Sequence, residues 1–487
     1  MLETSTAPFK VEEATIQDLA RAMAAGVITS EALVEIYLER IATYDKQGPK
    51  LNAILEVNPD ALFIARALDR ERQTAGPRGP LHGIPVLIKD NIDTHDKLHT
   101  SAGSLALATS VAPRDAFIVS QLRAAGAVIL GKANMTEFAN FMTKEMPSGY
   151  SSRGGQVINP YLHTLTPSGS SAGSGVAPAA NLTAVAVGTE TSGSILSPAN
   201  NNSIVGIKPT VGLVSRTGII PIAFSQDTAG PMTRTVADAA TLLGALVGVD
   251  QDDPATAASV GRAYKDYTQF LDRDGLRGAR IGVPAGEFWD KVSEDEKQLF
   301  AAAVAAMQES GAEIIDQVAI PGWADGYWQS NVLVYEFKTA LNAYLATLGP
   351  GAPVRSISEI IAFNNRNPET CLRHGQTLLA EADSTSGTLT EPAYLLDRLK
   401  DIRLSRQEGI DSVVAAHKLD ALLFPGSSGC WLPARAGYPS INVPAGYTTD
   451  GKPMGVTFTG LAWSEPVLIR LAYAFEQATK HRVPPAL

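Results

Sequence analysis

Three side chains in this chain have the types and settings for acyl transfer. Lys89 closes the run Gly83-Ile-Pro-Val-Leu-Ile-Lys-Asp90, Ser170 sits inside Pro167-Ser-Gly-Ser-Ser-Ala-Gly-Ser-Gly175, and Ser194 sits inside Thr189-Glu-Thr-Ser-Gly-Ser-Ile195. A serine hydroxyl is a poor nucleophile until a base removes its proton. Lysine starts from a pKa of ~10.4, so it serves as that base near neutrality only where burial disfavours the ammonium form. Lys89 follows Ile84, Val86 and Ile88 along a run that reads as a core strand, which supplies that setting; taken alone, it reads better as a solvated lysine at a strand end. Gly169, Gly173 and Gly175 permit the Ser170 loop to present hydroxyls and N–H groups together. Around Ser194, the N–H groups of Thr191, Ser192, Gly193 and Ser194 could converge on an oxyanion, where one donor is worth ~3 kcal/mol of barrier lowering. Taken alone, that segment is an ordinary polar turn.

Other chemistries compete for the same residues. Gly169-Ser-Ser-Ala-Gly173 fits the G-x-S-x-G nucleophile elbow, which would make Ser171 the attacking group. An elbow needs a strand directly before it, and the segment from Asn159 to Pro167 is bracketed by prolines. Its triad also needs a late histidine, and His374, His417 and His481 have no persuasive setting. A phosphate cradle would end in Gly-Lys-Ser/Thr, whereas this loop ends in Gly-Ser-Gly.

The elements that must hold these residues follow an α/β pattern, with short apolar strands buried on both faces. Thr15 and Ser30 are expected N-caps, and residues 31–44 set Leu33, Val34, Tyr37, Leu38 and Ile41 on one helical face. Residues 83–90, 127–130 and 182–188 read as strands, and 115–125 as a helix that Gly126 ends. One helix-and-strand unit therefore joins the two serine-bearing turns. Further on, 279–283 is a strand, Ser293-Glu-Asp-Glu296 a capping box, and Ile314, Ile315 and 419–424 supply more strands. Residues 453–460 read as a strand, and Ser464-Glu-Pro466 opens a helix that faces Leu468, Ile469, Ala472 and Phe475 inward. Trp289, Trp323, Tyr327 and Trp328 mark a less regular stretch, read first as packing residues and second as the wall of a pocket.

Composition bounds the function. In 487 residues, 45% hydrophobic and 18% charged leave ample material for a core and too little charge for disorder. A net charge of −10 with no basic run argues against nucleic acid or an anionic membrane as partner. Cys371 and Cys430 form no Cys-x-x-Cys pair, so a zinc ribbon or redox motif is not expected. The first residues carry no basic or apolar leader pattern and no apolar run reaches membrane length, so a cytoplasmic location is expected.

In order and motif, the Lys89, Ser170 and Ser194 segments resemble the amidase signature family. Gly206-Ile-Lys-Pro-Thr-Val-Gly212, Ser225-Gln-Asp-Thr-Ala-Gly-Pro231 and Gly437-Tyr-Pro-Ser-Ile-Asn-Val-Pro444 extend the likeness over nearly the whole chain, and the 24-residue step from Ser170 to Ser194 fits. The resemblance implies a single α/β/α domain on a twisted mixed sheet, with Ser194 as nucleophile, Ser170 as bridging serine after a cis Gly169–Ser170 bond, and Lys89 as ultimate base. Ser171 resembles a supporting hydrogen-bond residue. No metal or cofactor is implied. Within the single domain, residues 1–65 are expected as packing helices, 66–285 as the catalytic segment, 286–410 as a helical and aromatic insertion, and 411–487 as the closing strands and helix. At the nucleophile turn Glu190, Ser192 and Leu196 replace the family's frequent aspartate, first glycine and arginine. Without that arginine an acidic substrate loses a partner, and the turn looks more like the peptide amidase and broad amidase or urethanase branch. The expected substrate is a small amide or carbamate and the expected assembly a monomer or homodimer. A non-catalytic or amidotransferase-type subunit remains the reading from another class.

Overall fold

The run ending at Lys89 is a strand, and every residue of Pro85–Lys89 is buried. The computed structural model describes residues 9–323 and 327–487. Its strands are β1 (Ile54–Val57), β2 (Pro85–Lys89), β3 (Val128–Ala133), β4 (Tyr150–Ser151), β5 (Gly155–Gln156), β6 (Val185–Glu190) and β7 (Val205–Lys208). They continue with β8 (Thr228–Thr233), β9 (Arg280–Pro284), β10 (Glu313–Val318), β11 (Ala421–Pro425), β12 (Ser440–Tyr447) and β13 (Pro453–Thr459). Apart from the hairpin β4–β5, these form one eleven-stranded mixed sheet in the order β1-β3-β2-β6-β8-β7-β12-β13-β11-β9-β10. Helices pack against it, as the apolar strands require.

β2 runs parallel to both β3 and β6, while β8 is antiparallel to β6. The carboxyl ends of β2 and β6 therefore share one sheet edge, where loops leave the strands and ligands of open α/β sheets usually bind. The helix Ala172–Ala179 connects the Ser170 loop to β6 and packs on β2, β6 and β8. Its small residues allow a close approach: a Cβ at Gly173 would fall 2.2 Å from the Ala53 carbonyl oxygen and 2.5 Å from that of Asn134. The glycines of this loop thus press the helix start onto the neighbouring backbone.

Several local expectations shift. Thr15 caps its helix through a capping box, but the second N-cap is Thr29, whose hydroxyl accepts from Ala32; Ser30 is already helical and gives its N–H to Asp69. The capping box at Ser293 forms. β1, lying inside the expected N-terminal helical segment, adds an edge strand, and β7, β8 and β12 fill the sheet centre. The segment 286–410 holds the helix Glu294–Glu309, then β10, which pairs with β9, and then a run of helices after Val318. Trp323 and Trp328 are buried in a cluster with Phe288, Phe424 and Leu432, and Tyr327 and Trp289 pack on it half-buried. No helix among the described residues is long and apolar enough to cross a membrane.

Candidate active site

Lys89 is fully buried because β2 is an interior strand whose end is covered by the Ser170 loop and the turn after β6. Its Nζ lies 2.8 Å from Ser170 Oγ, 2.9 Å from Thr189 Oγ1 and 3.2 Å from the Thr189 carbonyl oxygen. These partners suit an uncharged amine: two N–H bonds can go to Thr189, and the lone pair can receive the Ser170 proton. Burial lowers the Lys89 pKa to about 7, against the opposing pull of the Glu190 and Asp227 charges. The solvated strand-end reading of Lys89 is thereby replaced.

The Gly169–Ser170 bond is cis, and the Ser170 carbonyl accepts from Thr136 N–H at 3.0 Å. Ser171 N–H donates to the Ser194 carbonyl at 3.2 Å, which ties the loop to the turn. Ser194 is 7% exposed, and its hydroxyl makes no hydrogen bond among the described residues; the structure joins Lys89 to Ser170 directly and brings Ser194 alongside through Ser171. Reacting groups often close such a step only around bound substrate. Ser171 occupies a different position. Its buried hydroxyl donates to the Thr189 carbonyl at 2.9 Å and accepts from Thr189 N–H at 3.2 Å, so it braces the strand end instead of standing at the head of an elbow. No strand directly precedes it, and His374 packs on Tyr150 while His481 packs on Phe475.

The oxyanion expectation needs one correction. Gly193 N–H is taken by Glu190, at 2.8 Å, and the same carboxylate accepts Ile195 N–H at 2.7 Å and Leu196 N–H at 3.0 Å. Thr191, Ser192 and Ser194 N–H make no hydrogen bond among the described residues, so they are the donors left for a ligand. Gly193 serves the turn through its shape: φ is +85°, and a Cβ there would lie 2.8 Å from Cys430 Sγ. In the sequence Glu190 stands out only as a departure from the family pattern. A signal for its role was present, since a carboxylate just ahead of a tight glycine turn is well placed to collect that turn's N–H groups.

Sequence reasoning also passes over Thr189, although its backbone and hydroxyl touch Lys89, Asn91 and Ser171. Beyond it opens a cavity of about 360 Å³, lined by Asn91, Asp93, Thr191, Asp227 and Tyr344 among others. Neither Ser170 nor Ser194 lines this cavity, and Ser192, two residues before Ser194, is exposed. Among the described residues no cluster of three His, Cys, Asp or Glu side chains could hold a metal ion.

A family model described as Amidase matches residues 32–433. The chain belongs to the amidase family. A probable amidase of Arabidopsis thaliana is 46% identical over 488 aligned positions, covering 98% of this amidase and 92% of its relative. The crystal structure of the native peptide amidase from Stenotrophomonas maltophilia superposes with a TM-score of 0.93 at 49% identity, covering 98% of this chain and 99% of that one. A glutamyl-tRNA(Gln) amidotransferase subunit from Halorhodospira halophila is 32% identical, with 96% of this chain and 98% of that relative covered. The amidase thus hydrolyses carbon–nitrogen amide bonds on a single α/β architecture.

Proposed function

We propose that this amidase cleaves neutral amides, peptide amides and carbamates in particular, through a Lys89–Ser170–Ser194 relay and an acyl-enzyme. The observation that carries this is the 2.8 Å contact between the Ser170 hydroxyl and a buried Lys89 whose pKa burial lowers to about 7. Lys89 takes the Ser170 proton, Ser170 takes that of Ser194, and Ser194 Oγ attacks the carbonyl carbon. The oxyanion gathers Thr191, Ser192 and Ser194 N–H. As the C–N bond breaks, the relay returns its proton to the departing nitrogen, and water then cleaves the ester with the same groups acting as base.

Two features support the substrate class. Leu196 replaces the arginine that would pair with an acidic acyl group, and its side chain is fully buried. Beside the turn, Cys430 packs on Gly193, and the next residue, Trp431, stacks on Tyr327 with ring centroids 4.1 Å apart. An aromatic wall at that point suits apolar or aromatic acyl groups. The relative from Stenotrophomonas maltophilia is a peptide amidase, which agrees with a substrate bearing a terminal carboxamide.

The test is turnover by the purified chain alone on dipeptide amides, anilides, carbamates and glutamine. Terminal amides of apolar dipeptides should react with kcat of roughly 1–100 s⁻¹, well above the acidic analogues. Turnover that appears only after other proteins are added would replace this reading with that of an amidotransferase subunit.

Glu190→Gln probes the turn. Its amide NH2 would face an N–H that now meets a carboxylate oxygen, so kcat should fall about 100-fold while stability drops by about 2 kcal/mol. Steady-state kinetics and urea denaturation read the two effects; an unchanged kcat would remove Glu190 from the mechanism.

A further inference from the structure

A second buried lysine stands at the same sheet edge as Lys89. Lys208 ends β7 and is fully buried, and its Nζ donates to the Tyr438 carbonyl at 2.6 Å and the Pro209 carbonyl at 3.3 Å. Both partners can only accept, so a neutral amine there would bury its lone pair unmet, whereas an ammonium suits them. Lys89 has the opposite surroundings: two of its three partner atoms are hydroxyls, either of which can turn a proton toward nitrogen. The charged groups that bear on Lys208 are Glu190, from the end of β6, and Glu465, which opens the helix Glu465–Thr479 and accepts Thr210 N–H at 2.6 Å. Burial lowers the Lys208 pKa to about 8, with both carboxylates resisting.

The consequence lies behind the nucleophile turn. Burial pushes the Glu190 carboxyl above its ordinary range, opposed first by the Lys208 charge and then by the Leu196, Ile195 and Gly193 N–H groups, from which its two oxygens accept. That acceptor-only geometry suits a carboxylate, which sets a negative charge near the N–H groups left for an oxyanion. Two like charges so close in a buried site oppose each other strongly. We propose that Lys208 is a positioning residue that supplies the positive charge offsetting Glu190, so that the oxyanion forms without an uncompensated carboxylate behind it. This rests on the reading of Ser194 as nucleophile. The two lysines thus take different tasks: Lys89, with hydroxyl partners, moves protons, and Lys208, with carbonyl partners, balances a carboxylate.

The probe is a trifluoromethyl ketone analogue of a good substrate, compared with the corresponding alcohol. Ser194 Oγ adds to the ketone carbon, the carbonyl electron pair moves to oxygen, and the serine proton passes through Ser170 to Lys89, leaving an anionic hemiketal. The alcohol fills the same site with no charge. Lys208→Met should weaken ketone binding and lower kcat/KM together by about 30- to 100-fold, leave alcohol binding within about threefold, and be largely rescued in Lys208→Arg. A merely structural role would weaken ketone and alcohol alike, and that result overturns the proposal, as does a folded Lys208→Met with kcat/KM within about threefold of wild type. Should Lys208→Met fail to fold, Lys208→Gln against Lys208→Arg makes the same comparison. Ser194→Ala separates the two layers: if it still hydrolyses amides, the nucleophile reading falls and this proposal with it, whereas an inactive Ser194→Ala beside wild-type ketone binding in Lys208→Met overturns the charge role alone.

Discussion

Ser194→Ala lowers kcat for amide hydrolysis by about ten-thousandfold or more, while Ser171→Ala lowers it by about tenfold. Removing one member of a nucleophile–base unit costs nearly as much as removing all of it, because the remaining groups have no attack to assist. Ser171 is different in kind: its hydroxyl bridges Thr189 N–H and carbonyl, and Thr189 in turn holds Lys89. Losing that brace removes the Ser171 hydroxyl from Thr189 N–H and leaves the Thr189 carbonyl to Lys89 alone, at about 1–3 kcal/mol of stability, and loosens the base without abolishing it. An elbow mechanism predicts the reverse order of the two variants. Kinetics on one reactive amide decide between them, with urea denaturation to confirm that both variants are folded.

Lys89→Met abolishes turnover to a similar degree and should make the protein more stable. In the wild type kcat/KM rises with pH through about 7, since only the neutral amine can accept a proton. For stability, the unfolded chain binds a proton at Lys89 below about 10.5 and the folded chain only below about 7. Between those values the unfolded state holds more protons, so this lysine makes wild-type stability fall as pH drops from 10 to 7 and level off below that. At pH 7 the penalty is of order 4 kcal/mol, partly offset by the hydrogen bonds to Ser170 and Thr189 that methionine cannot make. Urea denaturation of both proteins at pH 7, 8 and 9 should give a gap favouring Lys89→Met that narrows as pH rises. A gap that is flat across this range would mean that Lys89 is charged in the folded protein.

The order of elements around the site was legible because strands such as Pro85–Lys89 and Val185–Glu190 begin in apolar runs, and helices such as Glu294–Glu309 announce themselves by a capping box. The sheet centre was not. Thr228–Thr233 contains glycine and proline, Ser440–Tyr447 contains Pro444 and Gly446, and Val205–Lys208 is only four residues long with Gly206 inside; these become strands because neighbours on both sides pair with them. The motifs around Lys89, Ser170 and Ser194 pointed to the relay through their resemblance to the amidase signature family, yet the burial of Lys89 depends on a roof contributed by residues about 80 to 105 positions later. Glu190 escaped because its three N–H partners converge only once the turn has folded, and the same convergence removed Gly193 from the expected oxyanion donors.

Lys89, Ser170, Thr189, Glu190, Ser194 and Lys208 all lie within one quarter of the chain, whereas Tyr327 and Trp431, the aromatic wall of the proposed pocket, come from its latter portion. In the proposed reading, chemistry and taste are thus written on separate stretches of polypeptide. Redrafting the later loops should then trade one diet for another and leave the proton-handling groups as they are.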